Sequence, residues 1–238
     1  MFWKKRKSNE KTQKTSMSNQ IYGYEPSKLL EKVKILSEEG DFETIKKIIK
    51  ILTEYISLKE SSENLLNRKY SSKTRNDMFL QIFHKMCLSF DVELTYSDFS
   101  KEFNITEQNL ILDTWNNSRI ISNLKNINDQ NILKPVENIN NYYVYPLDIV
   151  LCMGGNHSQL AAKIQNKGVS HISRVVDLSC LYPYIFFDGE KFVDIHKINK
   201  FWYIGNELEL YSGVFFEIGR ILKKNSKYFE SNLLETIN

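Results

Sequence analysis

The segment Met153-Gly154-Gly155-Asn156-His157-Ser158 is where residue types and spacing in this chain could support chemistry. An apolar run from Ile149 to Met153 stops at two glycines. The Asn-His-Ser triplet follows, then a short helical pattern closed by Gly168. Strand, paired glycines and helix make a geometry suited to phosphate. Glycine lets the backbone approach an anion and take positive φ. The first turn of the helix has free N–H groups and a partial positive charge. Asn156 is placed to cap that helix, and His157 and Ser158 add donors at the same point. The plain structural alternative is a strand–helix turn in which His157 ties the chain to a neighbouring strand.

Other site chemistries find less support. No G-x-x-x-x-G-K-[ST] loop, G-x-S-x-G elbow or H-E-x-x-H pair is present among the four histidines, 84, 157, 171 and 196. Spacing does not support a metal site built from His157, His171 and Asp177 or Asp188. Cys87, Cys152 and Cys180 are far apart and form no CxxC, so free thiols in a reducing compartment are expected.

The elements around the turn are legible in outline. Pro26 and Ser27 open a helix to about Ser37, and Gly40 ends it. Asp41 caps a second helix carrying Phe42, Ile45, Ile48, Ile49, Leu52 and Ile56, with Lys46, Lys47 and Lys50 on a solvated face. The Ser-Ser pairs at 61–62 and 71–72 predict a polar break. Met78, Phe79, Ile82, Phe83 and Met86 make a third helical stripe, with His84 in a structural role beside it. Thr95–Phe103 and Thr106–Asn116 read as two shorter helices. A helix-turn-helix is disfavoured there, because TEQNLILDTW has no Arg or Lys for bases or phosphates. Trp115, Ile120, Leu124 and Ile127 continue a helical face that includes Arg119. After Pro135 the period changes. Tyr142–Tyr145, Asp148–Met153 and Ile172–Leu178 read as strands, Asp188-Gly189 as a hairpin turn, Phe201–Gly205 as a strand and Tyr211–Leu222 as a last helix.

Totals bound the rest. With 238 residues, 42% hydrophobic and 26% charged, the chain is of soluble globular composition. No run approaches the ~20 apolar residues of a membrane span. The net charge of +3 is uneven: residues 1–20 hold +5, which leaves −2 for the body. A whole-surface nucleic-acid binder would be more basic. The tail has no apolar stretch behind its basic residues, so a disordered tail is expected rather than a secretory leader. Weak electrostatic attraction to nucleic acid or anionic lipid is its alternative use. A cytoplasmic protein is expected.

The layout of apolar strand, G-G-x-H, helix with Leu160, Ala161 and Ala162, Gly168, and a strand ending Val175–Asp177 resembles the ParB/sulfiredoxin superfamily over about residues 132–195. In that superfamily a G-x-H-R or G-G-C-H-R turn binds nucleotide phosphates. A more specific resemblance, over most of 110–195, is to a bacterial family without an established activity. That family carries GGNHS, an upstream W-N-x-x-R (Trp115, Asn116, Arg119) and a downstream D-L-S-x-L-Y…DG (Asp177, Leu178, Ser179, Leu181, Tyr182, Asp188, Gly189). Two positions depart. Asn156 stands where sulfiredoxin has its catalytic cysteine, so sulfinic-acid reduction is not expected. Ser158 stands where both relatives place a phosphate-binding arginine, so Arg119, Lys163 or Arg174 would have to substitute. Lys163 is expected to face away, and the family motif favours Arg119.

Together these readings predict an α+β protein. A disordered basic tail (1–20) precedes a helical region (21–131), which packs on a small mixed β-sheet region of ParB/sulfiredoxin-like type (132–238) with a C-terminal helix. The expected function is binding of a nucleotide, with Mg²⁺, or of another phosphate-bearing ligand or nucleic-acid end. Gly154, Gly155, Asn156, Ser158, Arg119 and Arg174 would hold the phosphate. For phosphoryl transfer or phosphodiester cleavage, His157 would be the acid/base and Asp177 or Asp188 the carboxylate. The alternative is a non-catalytic protein-interaction component, for example of a phage-defence or toxin–immunity system. Its interface would use the aromatic residues Tyr142, Tyr143, Tyr145, Tyr182, Tyr184, Phe186, Phe187, Trp202 and Tyr203.

Overall fold

The computed structural model describes residues 25–66, 75–197 and 200–237. The basic tail and the Ser71–Ser72 pair lie outside them.

Local signals in the first helices are realised in the backbone. Pro26 supplies the fixed φ that opens α1 (Pro26–Glu39), and Gly40, at φ +77°, ends it in the left-handed conformation. Asp41 starts α2 (Phe42–Leu66): its Oδ1 accepts from Thr44 N at 3.1 Å. The polar break expected at Ser61–Ser62 does not occur, and α2 continues to Leu66. Ser57 and Ser61 donate back to the carbonyls of Thr53 and Ser57, at 2.8 and 2.7 Å, so their hydroxyls are satisfied within the helix. The same hydroxyls meet Leu112 N (3.0 Å) and Thr114 Oγ1 (2.9 Å), which makes this face of α2 a buried polar seat for residues 110–114.

Both helices expected between Thr95 and Asn116 are corrected. After α3 (Arg75–Phe90), residues Thr95–Asn104 form a ten-residue strand, β1, with nearly alternating exposure. Asn104 Oδ1 then accepts from Thr106 N (3.0 Å) and Thr106 Oγ1 (2.9 Å), turning the chain into the short strand β2 (Leu110–Ile111). Residues 112–116 are not helical. Helix α4 (Asn117–Asn126) begins only after Asn116, whose Oδ1 caps it by accepting from Arg119 N. No helix-turn-helix therefore exists in this stretch.

The remaining elements are β3 (Asn140–Tyr145), β4 (Ile149–Gly154), α5 (Asn156–Ile164), β5 (Val169–Asp177), β6 (Ile185–Phe187), β7 (Lys191–Asp194), β8 (Phe201–Tyr203), α6 (Glu207–Lys223) and α7 (Ser231–Ile237). The fold is α+β, with seven helices among the described residues. A mixed five-stranded sheet has the order β1-β5-β3-β4-β2, and a smaller sheet has the order β6-β7-β8. In the larger sheet β3 runs parallel to β5 and antiparallel to β4. Both of its edges, β1 and β2, come from the part of the chain expected to be helical, so the two expected regions share one sheet. The Asp188-Gly189 turn joins β6 and β7, with Gly189 at φ +102°. Helix α6 is largely buried. Its Phe216 stacks on Phe83 of α3 at 5.5 Å and meets Phe192 of β7 at 5.7 Å. The three cysteines are unbridged, and no described helix is long and apolar enough to cross a membrane.

Candidate functional site

The two glycines of the turn are required by the protein's own backbone. A Cβ on Gly154 would lie 2.6 Å from the carbonyl oxygen of Asn138. Gly155 sits at φ +75°, and its Cβ would lie 3.0 Å from Ile139 Cγ1. Gly155 is the N-cap of α5 and offers no side chain to it. Asn156, expected to cap, is used otherwise: its Oδ1 accepts from Asp113 N at 2.7 Å and its Nδ2 donates to the Cys152 carbonyl at 3.2 Å. Ser158 Oγ donates to the Gly155 carbonyl at 3.0 Å. The amide N–H groups of Asn156, His157 and Ser158 have no acceptor among the described residues, as at the open end of a helix.

His157 is 7% exposed. Its Nε2 accepts from Asn116 N at 3.2 Å, and its ring meets Trp115 edge to face at 5.2 Å. Burial, and then the charge of Arg119, push its pKa down to about 4. The ring is neutral at pH 7, and because Nε2 is the acceptor, the proton is assigned to Nδ1. Beneath the turn Gln159, fully buried, donates from Nε2 to Asn141 Oδ1 (3.0 Å) and the Gly154 carbonyl (2.9 Å). Its Oε1 accepts from Ser170 Oγ at 2.8 Å, and Asn141 Nδ2 donates to that same hydroxyl at 2.8 Å. This closed network fixes the end of β4 against β3 and β5.

The structure joins the two upstream motifs. Trp115, Asn116 and Arg119 meet Asn156 and His157. The Arg119 guanidinium lies 4.8 Å from the centre of the Trp115 ring, and both side chains are exposed, Trp115 at 39%. No carboxylate lies within ion-pair distance of Arg119 among the described residues.

Arg174 and Asp177 are not brought to the turn. Arg174 Nε is 3.7 Å from Asp98 Oδ1 and its guanidinium lies over Tyr142, toward β1. Asp177 is level with Tyr145, whereas Gly154 is level with Asn140, five residues along β3. That spacing is about 16 Å along the strand, at opposite ends of the sheet. Asp177 accepts from Ser179 N (2.7 Å) and Ser179 Oγ (3.0 Å) in an Asx turn just before the 3₁₀ turn Ser179–Leu181. Asp188 serves its hairpin, accepting from Glu190 N and Lys191 N. His157, His171, Asp177 and Asp188 do not converge: among the described residues no three His, Cys, Asp or Glu side chains gather as metal ligands would. Lys163 lies at the other end of α5, near Glu54 of α2.

One family model, described as a family of unknown function (DUF6710), matches residues 2–229. The chain belongs to that family. The DUF6710 match runs through β1, the glycine turn and α6, and so spans both regions expected from the sequence. Neither curated proteins nor solved structures give a match.

Sequence reasoning missed two groups of residues in this DUF6710 fold. The first is the Gln159–Asn141–Ser170 network. Its one local signal is a glutamine directly before the apolar residues Leu160, Ala161 and Ala162. The second surrounds Asp148, at the wall of a cavity of about 460 Å³ between the start of α2, β1 and residues 225–233. Asp148 is buried, at φ +53°, and accepts from Tyr143 Oη (2.9 Å), Asn109 Nδ2 (3.1 Å) and Tyr228 Oη. Burial raises its pKa against the pull of those hydrogen bonds and of Lys46 and Lys101. Neutral donors alone hold this carboxylate, which fits a lock on the β3–β4 turn.

Proposed function

We propose that this protein binds a phosphate-bearing ligand, a nucleotide or a nucleic-acid end, at the edge formed by Arg119, Trp115 and the N-terminus of α5. The observation that carries this reading is Arg119: an exposed guanidinium stacked on an exposed tryptophan, with no described carboxylate neutralising it, beside three N–H groups open at a helix start. The neutral His157 adds an Nδ1–H donor. The flat Trp115 face suits a base or sugar next to the phosphate. The resemblance to the ParB/sulfiredoxin superfamily supports the same use of the turn. The donors are N–H groups, which suit anionic oxygens and give Mg²⁺ no ligand, so any Mg²⁺ would arrive on the ligand's phosphates. The reading assigns binding and no catalytic step, since a histidine with pKa about 4 is a poor acid/base at neutral pH and both proposed carboxylates serve turns elsewhere.

The test is calorimetry with AMP, ATP, inorganic phosphate and a 5′-phosphorylated dinucleotide, with and without Mg²⁺, on wild type and Arg119→Ala. Loss of an arginine–phosphate pair of about 2–3 kcal/mol predicts a drop in affinity of roughly 30- to 150-fold. The melting temperature should not change, because Arg119 is exposed. Absence of binding by the wild type to every probe, or undiminished binding by Arg119→Ala, rejects the proposal. An interface reading gains no comparable support: of the nine aromatic residues it would use, only Phe186 (38%) and Tyr203 (63%) are exposed.

A further inference from the structure

Cys87 and Cys180 come from distant parts of the chain and meet. Cys87 lies on α3, and Cys180 lies in the 3₁₀ turn Ser179–Leu181 that follows β5. Ring contacts on either side hold these two segments together. Phe90, one turn beyond Cys87, stacks on Tyr184 at 4.9 Å. Phe83, one turn before it, stacks on Phe216, and Phe216 meets Tyr182 edge to face at 4.7 Å. Between these clamps the two thiols interact directly, sulfur to sulfur. Both are free thiols, with no bond joining them.

The two sulfurs are not equivalent. Cys87 is 3% exposed, whereas Cys180 is half-buried and reaches solvent. Contact with Cys180, and then burial, push the Cys87 thiol up. Contact with Cys87 pulls the Cys180 thiol below its ordinary value; burial and Asp177 oppose this, and Lys223 assists it. Cys180 is thus the sulfur that gives up its proton first, and Cys87 donates its S–H to it. The thiolate is the form that attacks an oxidant, and a second thiol beside it captures the first oxidation product. Cys152 differs on each count. It is buried in β4, burial pushes its thiol up, and its sulfur is engaged by Gln159 Nε2 at 2.9 Å and the Gly154 carbonyl at 3.0 Å. It behaves as a small core residue.

We infer that Cys87 and Cys180 form an oxidisable dithiol, which a hydroperoxide converts to a disulfide within the chain. The Cys180 thiolate attacks the outer oxygen of the peroxide. An S–O bond forms, the O–O bond breaks, and the leaving oxyanion takes up the proton that Cys180 gave to solvent. Cys180 is then a sulfenic acid. The Cys87 sulfur attacks it: the S–S bond forms, the S–O bond breaks, and hydroxide leaves with the Cys87 proton as water. The pair loses two electrons and the peroxide gains them. A dithiol reductant reverses the change by thiol–disulfide exchange. The bond ties α3 to the turn after β5. That turn is at the Asp177 end of the sheet, away from Gly154, and the inference does not depend on the phosphate reading.

The experiment is treatment of the full chain with a modest excess of hydrogen peroxide, for wild type, Cys87→Ala and Cys180→Ala. Thiols are then counted, and peptides are mapped without reductant. Wild type should lose two of its three thiols, yield a peptide pair linked through Cys87 and Cys180, and regain all three thiols with dithiothreitol. Cys87→Ala should form no internal disulfide and should be labelled on Cys180 by dimedone, which marks sulfenic acid. Cys180→Ala should leave Cys87 unlabelled and consume peroxide at least tenfold more slowly than wild type. The proposal is overturned by a wild type that keeps all three thiols, or by a disulfide that joins two chains through Cys180 while Cys87 stays free. It is equally overturned by oxidation of Cys180 to sulfinic acid ahead of any linkage, or by Cys152 reacting as fast as the pair. The wild-type peptide map decides the question even where a variant fails to fold.

Discussion

The pH dependence of folding should reveal the state of His157 directly. Its folded pKa is depressed to about 4, below its ordinary value of 6.5. Above about pH 6.5 neither the folded nor the unfolded chain protonates this ring, and His157 contributes no pH dependence. Between about 6.5 and 4 the unfolded chain takes a proton that the folded protein refuses, so stability falls as the pH falls. Below about 4 both states are protonated and the loss is complete. At full value the loss would reach roughly 3 kcal/mol, and about 2 kcal/mol at pH 5. The neighbouring Trp115 and Arg119 are exposed and bring solvent close to the ring, which screens its charge, and about 1–2 kcal/mol is expected at pH 5. Urea denaturation of wild type and His157→Gln at pH 7.5 and pH 5.0 isolates the term, because every other titrating group is common to both proteins. Glutamine offers an oxygen to Asn116 N and does not titrate. The variant should be about 1–2 kcal/mol less stable at pH 7.5, from lost packing on Trp115 and a poorer acceptor. That deficit should shrink or vanish at pH 5.0. A deficit equal at both pH values would show that His157 is not held neutral. A deficit that grows on acidification would show that it is charged and paired, and would reverse the reading of the site's electrostatics.

Further perturbations test the turn and the residues assigned away from it. Gln159→Leu should cost about 2–4 kcal/mol by urea denaturation, because Asn141 Oδ1 and Ser170 Oγ lose their partner in a closed space; a loss under 1 kcal/mol would mean the network is not what fixes the end of β4. Gly155→Ala should cost about 1–2 kcal/mol through its positive φ. Gly154→Ala should cost more, since its clash is with a backbone oxygen that cannot turn aside; the reverse order would contradict the tight approach of Asn138. Asp177→Ala should cost about 1 kcal/mol through the lost hydrogen bonds to Ser179. It should leave AMP affinity within twofold of wild type, and a larger fall would put this carboxylate back at the site.

How far the sequence could be read depended on whether the decisive contacts were local. Pro26, Gly40, Asp41 and the Asp188-Gly189 pair act within a few residues of themselves, and each sits where its chemistry placed it. β1 reads as a helix in the sequence for a physical reason. Its register shifts between Asp98 and Lys101, so Tyr96, Phe99 and Phe103 fall three and four apart as they would on a helix. As an edge strand it also carries Asp98, Lys101 and Glu102, charges that blunt an edge and that lower its apparent strand character. The serines of α2 looked like a break because a buried serine and an exposed one are identical in sequence; only the arrival of residues 110–114 makes Ser57 and Ser61 interior. Asp177 enters the expected site through the family's D-L-S-x-L-Y motif, which carries no information on where its strand ends in space. Whether that strand brings its C-terminal end to Gly154 or away from it depends on β3 lying between β4 and β5, which no local spacing reveals.

The turn itself is best understood as a splint between two helix starts. His157 Nε2 holds Asn116 N, and Asn116 Oδ1 holds Arg119 N at the first turn of α4. Asn156 Oδ1 holds Asp113 N, which fixes the extended segment leading into that helix. The His157 and Asn156 bonds run from the start of α5 toward the start of α4, and the Asn116 cap passes that hold on to Arg119, so the position of the Arg119 backbone relative to the open N–H groups of α5 is set by hydrogen bonds rather than by solvent-exposed side chains. The triplet expected to be a set of ligand donors thus spends its side chains on geometry, apart from the His157 Nδ1–H. Its backbone N–H groups, and the arginine it positions, remain available. An anion bound there would find its donors already oriented, and the ordering of Arg119 that usually opposes binding would be limited to one side chain already resting on Trp115. This division of labour explains why a histidine with an unfavourable pKa for catalysis occupies the turn: as a neutral acceptor it can hold Asn116 N, and as an imidazolium it could not.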